Sequence, residues 1–222
     1  MSDRSKGEPQ SVGRGYAIVH LDPQLIVIDK AHGILSVPGI GPDKADCVAV
    51  RVAAEFEGAR IVHRLDRDTS GLMVLARDAQ THRNLSMQFE ARTVRKRYTA
   101  LVAGHPVNDE ATIDLPIAKD LQRAPRQKID HEHGRPSITH YEVVQRLDNP
   151  VRARLHLRPM TGRSHQLRLH LLSIGHPILG DDLYATDEIR ALSARLCLHA
   201  DQLAFTHPVT SLLLEFESTA PF

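Results

Sequence analysis

The stretch IVHRLDRDTSGLMVLARD, Ile61 to Asp78, holds two apolar runs separated by a polar corner. Short runs rich in Ile, Val and Leu, bounded by Asp, Ser and Gly, read as strands joined by a turn. The spacing predicts one strand over ARIVHRL and another over GLMVLAR, with DRDTS between them. If the first strand runs into the corner, Ile61, His63 and Leu65 share one face while Val62, Arg64 and Asp66 share the other. A carboxylate then leaves the sheet at a strand end beside Arg64. Asp followed by Thr-Ser-Gly also forms plain turns in which it only bonds backbone amides. Both readings stand on this pattern alone.

The same pattern continues on either side. YAIVHLD and QLIVIDK, split by Asp22-Pro23, read as a strand pair, and KRYTALVAG, EATIDLPI, SITHYEVVQRL, RARLHLRP, LCLHADQLAFTHP and SLLLEFE as further strands, mostly consecutive and therefore antiparallel. DCVAVRVAAEFEG reads as a helix because Val48, Val52 and Phe56 recur every four residues, with Asp46 as cap and Gly58 after it. AQTHRNLSMQFEA, with Leu85 and Phe89 four apart, is a second. SHQLRLHLLSIG is ambiguous, since Leu167, Leu169 and Leu171 also alternate. Ser164 as N-cap and Gly175 before Pro177 favour a helix. The fold class is α+β, a mixed and largely antiparallel sheet flanked by helices and loops. Residues 1–15 read as a flexible polar leader and 16–222 as one catalytic domain.

The 222 residues are 41% hydrophobic and 25% charged, which allows a sizeable core. No apolar run reaches a membrane span and the start has no signal-peptide pattern. Cys47 and Cys197 lie far apart with no C-x-x-C, so free buried thiols in a reducing cytoplasm are expected. The formal charge of +1 announces no polyanion, but Arg92–Tyr98, Arg123–Lys128 and the arginines from Arg152 to Arg168 form three basic islands. Fourteen histidines, including His131 and His133, invite a metal reading, yet no H-E-x-x-H or Cys/His cluster accompanies them and no metal site is expected. Neither a G-x-S-x-G elbow nor a P-loop is present.

Two further segments can carry chemistry. RPMTGRSHQLRLHL, from Arg158, combines a Gly-x-Ser corner with Arg163 and Arg168, a set of donors suited to phosphate or carboxylate, or simply a basic surface helix. In RKRYTA an aromatic, Tyr98, follows three basic residues; it can stack on a base while its neighbours meet phosphate, or sit in the core.

Together these segments resemble the RluA family of pseudouridine synthases. Its signature H-R-L-D-x-x-T-S-G is matched by His63, Arg64, Leu65, Asp66, Thr69, Ser70 and Gly71, and KRYTALVAG, GRSHQLRLHL, GHPILGDDLY, LCLHA and FTHP follow in the family's order. The family's K-P-x-G reads KAHG here, Lys30 to Gly33, a departure confined to one turn. The resemblance runs from about Tyr16 to the C-terminus and implies the pseudouridine synthase fold, no cofactor and an RNA partner. The fifteen leader residues are too few for the S4-type RNA-binding domain that many relatives carry. By the same resemblance Asp66 is the reacting carboxylate and Arg168 its ion-pair partner. Tyr98 stacks on the uracil and takes the proton the base loses, Leu169 packs on the other face, and Arg64 fills the stack the uridine vacates. His63, Thr69, Arg163, His165 and Gln166 complete the expected substrate-binding set. The short form is most similar to members acting, as monomers, on the tRNA anticodon stem-loop (uridine 32) and a hairpin loop of large-subunit rRNA (uridine 746). Two rivals are a catalytically silent RNA-binding module and a nucleoside hydrolase. The second generally needs two carboxylates at the scissile bond, and only Asp66 stands in a recognisable site.

Overall fold

The computed structural model describes residues 13–222. The greater part of the expected leader lies outside the described residues. In chain order the elements are β1 (Tyr16–Leu21), β2 (Leu25–Lys30), α1 (Val48–Glu55), β3 (Arg60–Ile61), β4 (Ser70–Ala76), α2 (Ala79–Glu90), β5 (Arg95–Ala103), β6 (Glu110–Asp114), β7 (Ile117–Lys119), β8 (Gln127–Ile129), β9 (Ile138–Asp148), β10 (Val151–Pro159), α3 (Gln166–Ser173), α4 (Asp187–Arg190), β11 (Leu198–Thr206) and β12 (Leu213–Glu217). Ten strands make one sheet in the order β1-β2-β4-β11-β5-β10-β9-β6, with β12 on β11 and β3 on β4; β7 and β8 form a separate hairpin. Strands β4 and β11 run parallel and the other strand pairs antiparallel, which is the mixed, largely antiparallel α+β architecture the sequence predicts.

Strand β4 is buried along its whole length, and β2 nearly so, because a helix covers each face. Ile26, Ile28, Met73 and Leu75 meet Val48 and Val52 of α1, while Leu25, Val27, Leu72, Val74 and Ala76 meet Leu85 of α2. Strands covered on both faces read as continuous apolar runs rather than alternating ones. Each large side chain so buried contributes roughly 1.5–3 kcal/mol relative to exposure. A third cluster joins β5, β10 and α3 through Leu101, Leu155, Leu157, Leu167 and Leu171, and Tyr98 packs against both this cluster and the α1 cluster.

Three local expectations are corrected. The strand over ARIVHRL stops after Ile61, paired with Leu75, so the alternation assigned to residues 61–66 does not hold. The next donor along β4, the Val74 N–H, goes instead to His63 Nε2 at 3.1 Å, so an imidazole continues where backbone pairing ends. Helix α1 begins at Val48 with Cys47 at the cap position and no side-chain cap; Asp46 is occupied by a two-pronged pair with Arg51. Helix α3 forms as expected, with Gly175 at φ +83 just past its end, but its N-cap residue is His165 in the left-handed region (φ 54) rather than Ser164. Helix α2 has the stronger cap, Asp78 accepting from the Thr81 N–H and hydroxyl at 2.8 and 2.7 Å. Both cysteines are free and buried.

Candidate active site

Ala200 of β11 pairs with Gly71 on one side and with Tyr98 on the other, so the start of β4 and the middle of β5 flank one small residue at the sheet's centre. The corner carrying Asp66 enters β4 at this place. Gly71 sits at φ +116 with the Ala200 backbone so close that any Cβ would overlap it, which is why the corner ends in glycine. The peptide on either side of Asp66 is clamped. The Leu65 C=O accepts from Ser36 Oγ at 2.7 Å, and Ser36 Oγ in turn accepts from the Leu65 N–H at 3.1 Å. The Arg67 C=O accepts from Lys30 Nζ at 2.9 Å and from the Gly33 N–H at 2.9 Å. Lys30 is fully buried and also donates to the carbonyls of Ala31 and Ile34, both at 2.8 Å. Three acceptors use all three ammonium donors. Burial pulls Lys30 down to about 7, against the charges of Asp68 and Asp66, which hold it up.

The cavity beside this corner has a volume of about 780 Å³, and its wall includes His63, Arg64, Asp66, Thr69, Tyr98, Arg163, Gln166, Leu167, Arg168 and Leu198. Among the described residues Asp66 takes no side-chain hydrogen bond and joins no ion pair, and its carboxylate is left available on the wall. Arg92, Lys96, Arg97 and Arg158 extend a basic surface along the same cavity, where the other acidic wall residues are Glu90 and Glu215. Glu215 is paired with Arg95. Glu90, like Asp66, has no ion-pair partner among the described residues, but only Asp66 stands on a backbone clamped on both sides; a carboxylate so fixed among cations suits a polyanionic substrate that presents one reacting carbon.

The structure sorts the remaining sequence-predicted residues. Arg168 is buried and bonds Asp181 through Nε at 2.8 Å and Nη2 at 2.5 Å, and Asp182 at 2.9 Å. The expected Arg168–Asp66 ion pair is therefore corrected: its carboxylate partners are Asp181 and Asp182, and Asp66 acts on it only at longer range. Burial alone would lower the guanidinium's pKa, but the Asp181 bonds and the nearby carboxylates outweigh it, so Arg168 is a fixed charge. Leu169 is buried yet absent from the cavity wall; Leu167 occupies it instead, since two residues turn a helix by about 200°. Gln166 has all four amide positions engaged, accepting from Thr161 Oγ1 and the Arg163 N–H and donating to the Ile138 C=O and Thr139 Oγ1. It shapes the 161–166 loop and has no donor or acceptor left for RNA. His165 points its Nδ1 at the Tyr184 hydroxyl, 2.9 Å away, and is not on the wall. Burial and the charges of Arg168 and Arg64 lower its pKa against Asp66 and Asp181. His63 accepts from Val74, stacks on Phe89 at 4.5 Å, and is pushed by burial and by Lys96 down to about 3, so it is a neutral support at the cavity edge. Tyr98 faces Asp66 electrostatically: burial first, then the Asp66 charge, raises its phenol well above the usual value.

Sequence reasoning missed Ser36, Lys30 and Asp181. Lys30 and Asp181 lie in the quoted segments KAHG and GDDLY, but nothing local distinguishes a buried clamp from a turn residue. Arg67 and Asp68, which had no assigned role, pair with each other at 3.0 Å, and Arg67 reaches Asp182 at 3.6 Å. The RAPRQK island lies off the wall, on and before β8, with Arg126 over the Tyr184 ring. Among the described residues no group of three or more His, Cys, Asp or Glu is placed to hold a metal, and no helix is long and apolar enough to cross a membrane.

A family model described as RNA pseudouridylate synthase matches residues 24–173, a span that holds Asp66, Tyr98 and Arg168. The chain belongs to the RNA pseudouridylate synthases. Within that family it is 48% identical over 205 residues to the dual-specificity RNA pseudouridine synthase RluA of Pasteurella multocida, covering 92% of this chain and 93% of that protein. To the RluA of Escherichia coli K12 it is 45% identical over 206 residues, with the same coverage. Among solved structures, human RNA pseudouridylate synthase domain containing 1 superposes with a TM-score of 0.79 at 29% identity, over 97% of this chain and 87% of that one. As an RNA pseudouridylate synthase the chain is an isomerase that turns uridine in RNA into pseudouridine. That excludes the catalytically silent module.

Proposed function

We propose that this synthase modifies uridines in the tRNA anticodon stem-loop and in a hairpin loop of large-subunit rRNA, uridines 32 and 746, with Asp66 as the reacting carboxylate. The observation carrying this reading is the unbonded Asp66 carboxylate on the wall of a basic cavity, with its backbone clamped on both sides. Relatives covering nearly the whole chain bear the dual-specificity name, which supports the two substrate classes. The enzyme works as a monomer in the cytoplasm, where both RNAs are made, through one catalytic domain over residues 16–222.

The reaction breaks the bond from ribose C1′ to uracil N1, turns the base, and joins C1′ to C5. The C5 proton leaves and N1 gains one, so atoms and electrons balance without oxidant, reductant or added group. Asp66 serves each available route: attack on C1′, addition to the base, or removal of a sugar proton. The target must leave its stack, at a cost of a few kcal/mol. Arg64, exposed on the wall, is placed to fill the gap. Leu167 and Tyr98 offer apolar and aromatic surface to the turned-out base. Thr69 and Arg163 stand on the cavity wall, and His63, His165 and Gln166 hold the surrounding loops. Arg168 supplies positive potential toward Asp66 from its anchor on Asp181.

The test is to map pseudouridines in total RNA from cells lacking this protein. Positions that vanish, and return with wild type but not with Asp66→Asn, name the substrates. In vitro, Asp66→Asn should yield no product while RNA affinity stays within a few-fold, since phosphate contacts dominate binding. Turnover by Asp66→Asn would remove Asp66 from the chemistry.

A further inference from the structure

Behind the Asp66 corner, on the side away from the cavity, lies a buried polar chain that the reaction as described does not use. Ser70, next in sequence to Thr69, pairs with His199 across the β4–β11 junction. Its Oγ lies 2.8 Å from His199 Nδ1, and it also accepts from Arg195 Nη2. His199 Nε2 is 3.0 Å from Ser218 Oγ, and the Ser218 hydroxyl donates to the Asp29 carboxylate. Ser70 and His199 are 3% and 2% exposed, so neither can turn to water for a substitute partner. The donors can be ordered in one direction. Arg195 can only donate to Ser70, and the Asp29 carboxylate can only accept from Ser218, so Ser218 in turn accepts from His199 Nε2 and a neutral imidazole takes the Ser70 proton at Nδ1. His199 is then the neutral Nε2–H tautomer, donating to Ser218, whose proton goes to Asp29.

We propose that His199 is a positioning residue for pseudouridylation: the chain Asp29–Ser218–His199–Ser70, closed by Arg195, fixes the Thr69–Ser70–Gly71 corner that presents Asp66. The proposal rests on Asp66 being the reacting carboxylate. The corner is clamped in front by Lys30 and Ser36 and behind by His199, and the β4–β11 pairing it begins extends over only two residue pairs. Few backbone bonds hold that junction, which leaves the side-chain chain as its principal anchor on the β11 side.

The order of donors also makes the device sensitive to protonation. An imidazolium has N–H on both nitrogens, so it would donate to Ser70 Oγ and turn the Ser70 proton away from its acceptor. The charged groups facing His199 are Arg195 before β11, Asp29 at the end of β2 and Asp201 on β11. Burial and Arg195 keep its pKa below the ordinary value against the two carboxylates. The neutral form, and with it the ordered chain, prevails at neutral pH. Acid should disrupt it separately from any titration of Asp66.

The experiment measures single-turnover rates against pH on a transcribed pool of tRNA and 23S rRNA, which presents uridine at every candidate position. Wild type, His199→Asn, Ser218→Ala and Asp66→Asn are compared, with RNA affinity and melting temperature recorded for each. His199→Asn should react about tenfold more slowly with Kd within twofold, the size expected of a misplaced reacting group, and should lack the imidazole limb of the acid profile. Ser218→Ala, at a half-exposed position, removes the link to Asp29 and should move that limb to lower pH; it decides the matter if His199→Asn does not fold. Folded variants with wild-type rate and profile would overturn the proposal. So would rate, affinity and melting temperature falling together while the Ser218→Ala limb stays in place. A reactive Asp66→Asn would instead overturn the nucleophile assignment, whatever His199 does.

Discussion

Two side chains beside Asp66 are governed by burial, with opposite consequences for chemistry. Tyr98 keeps its proton, because burial and the Asp66 charge both disfavour the phenolate. If its oxygen takes the C5 proton, it does so only as its own proton moves on, since no phenolate waits. Tyr98→Phe should keep the stacking face and RNA affinity but lower the single-turnover rate by about 100-fold, the scale of a lost acid–base group. An unchanged rate would leave stacking as its whole contribution. His63 is the converse case, a base kept neutral. Its folded value of about 3 lies below the ordinary 6.5, so between those values the unfolded chain binds a proton that the folded chain excludes. Its contribution to stability is complete above about pH 6.5 and is lost as pH falls toward about 3. Urea unfolding from neutral to acidic pH should show that decline, and His63→Gln should show a shallower one. The H-R-L-D-x-x-T-S-G match made His63 and Asp66 legible as site residues. That His63 supports β4 was not, because its partners Val74 and Phe89 are 11 and 26 positions away.

At the scale of elements, the junction of β4 with β11 sets where the carboxylate stands. Gly71→Ala would add strain at φ +116 and drive a Cβ into the Ala200 backbone. It should destabilise by more than about 3 kcal/mol, beyond the usual cost of a residue in disfavoured backbone space. Denaturant titration checks the magnitude, and a loss under about 1 kcal/mol would mean the corner relaxes freely. Most strands were legible because apolar runs and turn residues mark them. The strand over residues 61–65 misled, since its alternating pattern is produced by a loop that buries Leu65 and half-buries His63 for separate reasons. Helix α3 was found from Gly175 and Pro177, yet its start was misplaced. A left-handed His165 held by Tyr184 caps it, and that bond spans 19 residues.

The molecule as a whole shows why a net charge of +1 was uninformative. Arg64, Arg92, Lys96, Arg97, Arg158 and Arg163 come from three separate segments and meet along one cavity. RNA affinity should therefore fall with added KCl, with a log–log slope of roughly −4 if five or six of these cations meet phosphates. Anisotropy titrations measure it, and a flat response would take the cavity's cations out of the interface. Arg97 is tied to Asp201 and Arg158 to Glu142, so Arg64, Arg92 and Arg163 should carry most of the slope.

By itself the sequence determined the class of fold, the family and the position of the candidate carboxylate, because strand periodicity, turn residues and a contiguous signature are local properties. Tertiary structure decided which groups surround it. Lys30 and Ser36 bond the backbone on either side of it, His199 bonds Ser70 of its corner, and Asp181 anchors Arg168, through contacts across 13 to 129 positions of chain. Burial then gives those contacts their strength, for a polar group removed from water must find its partner inside the protein.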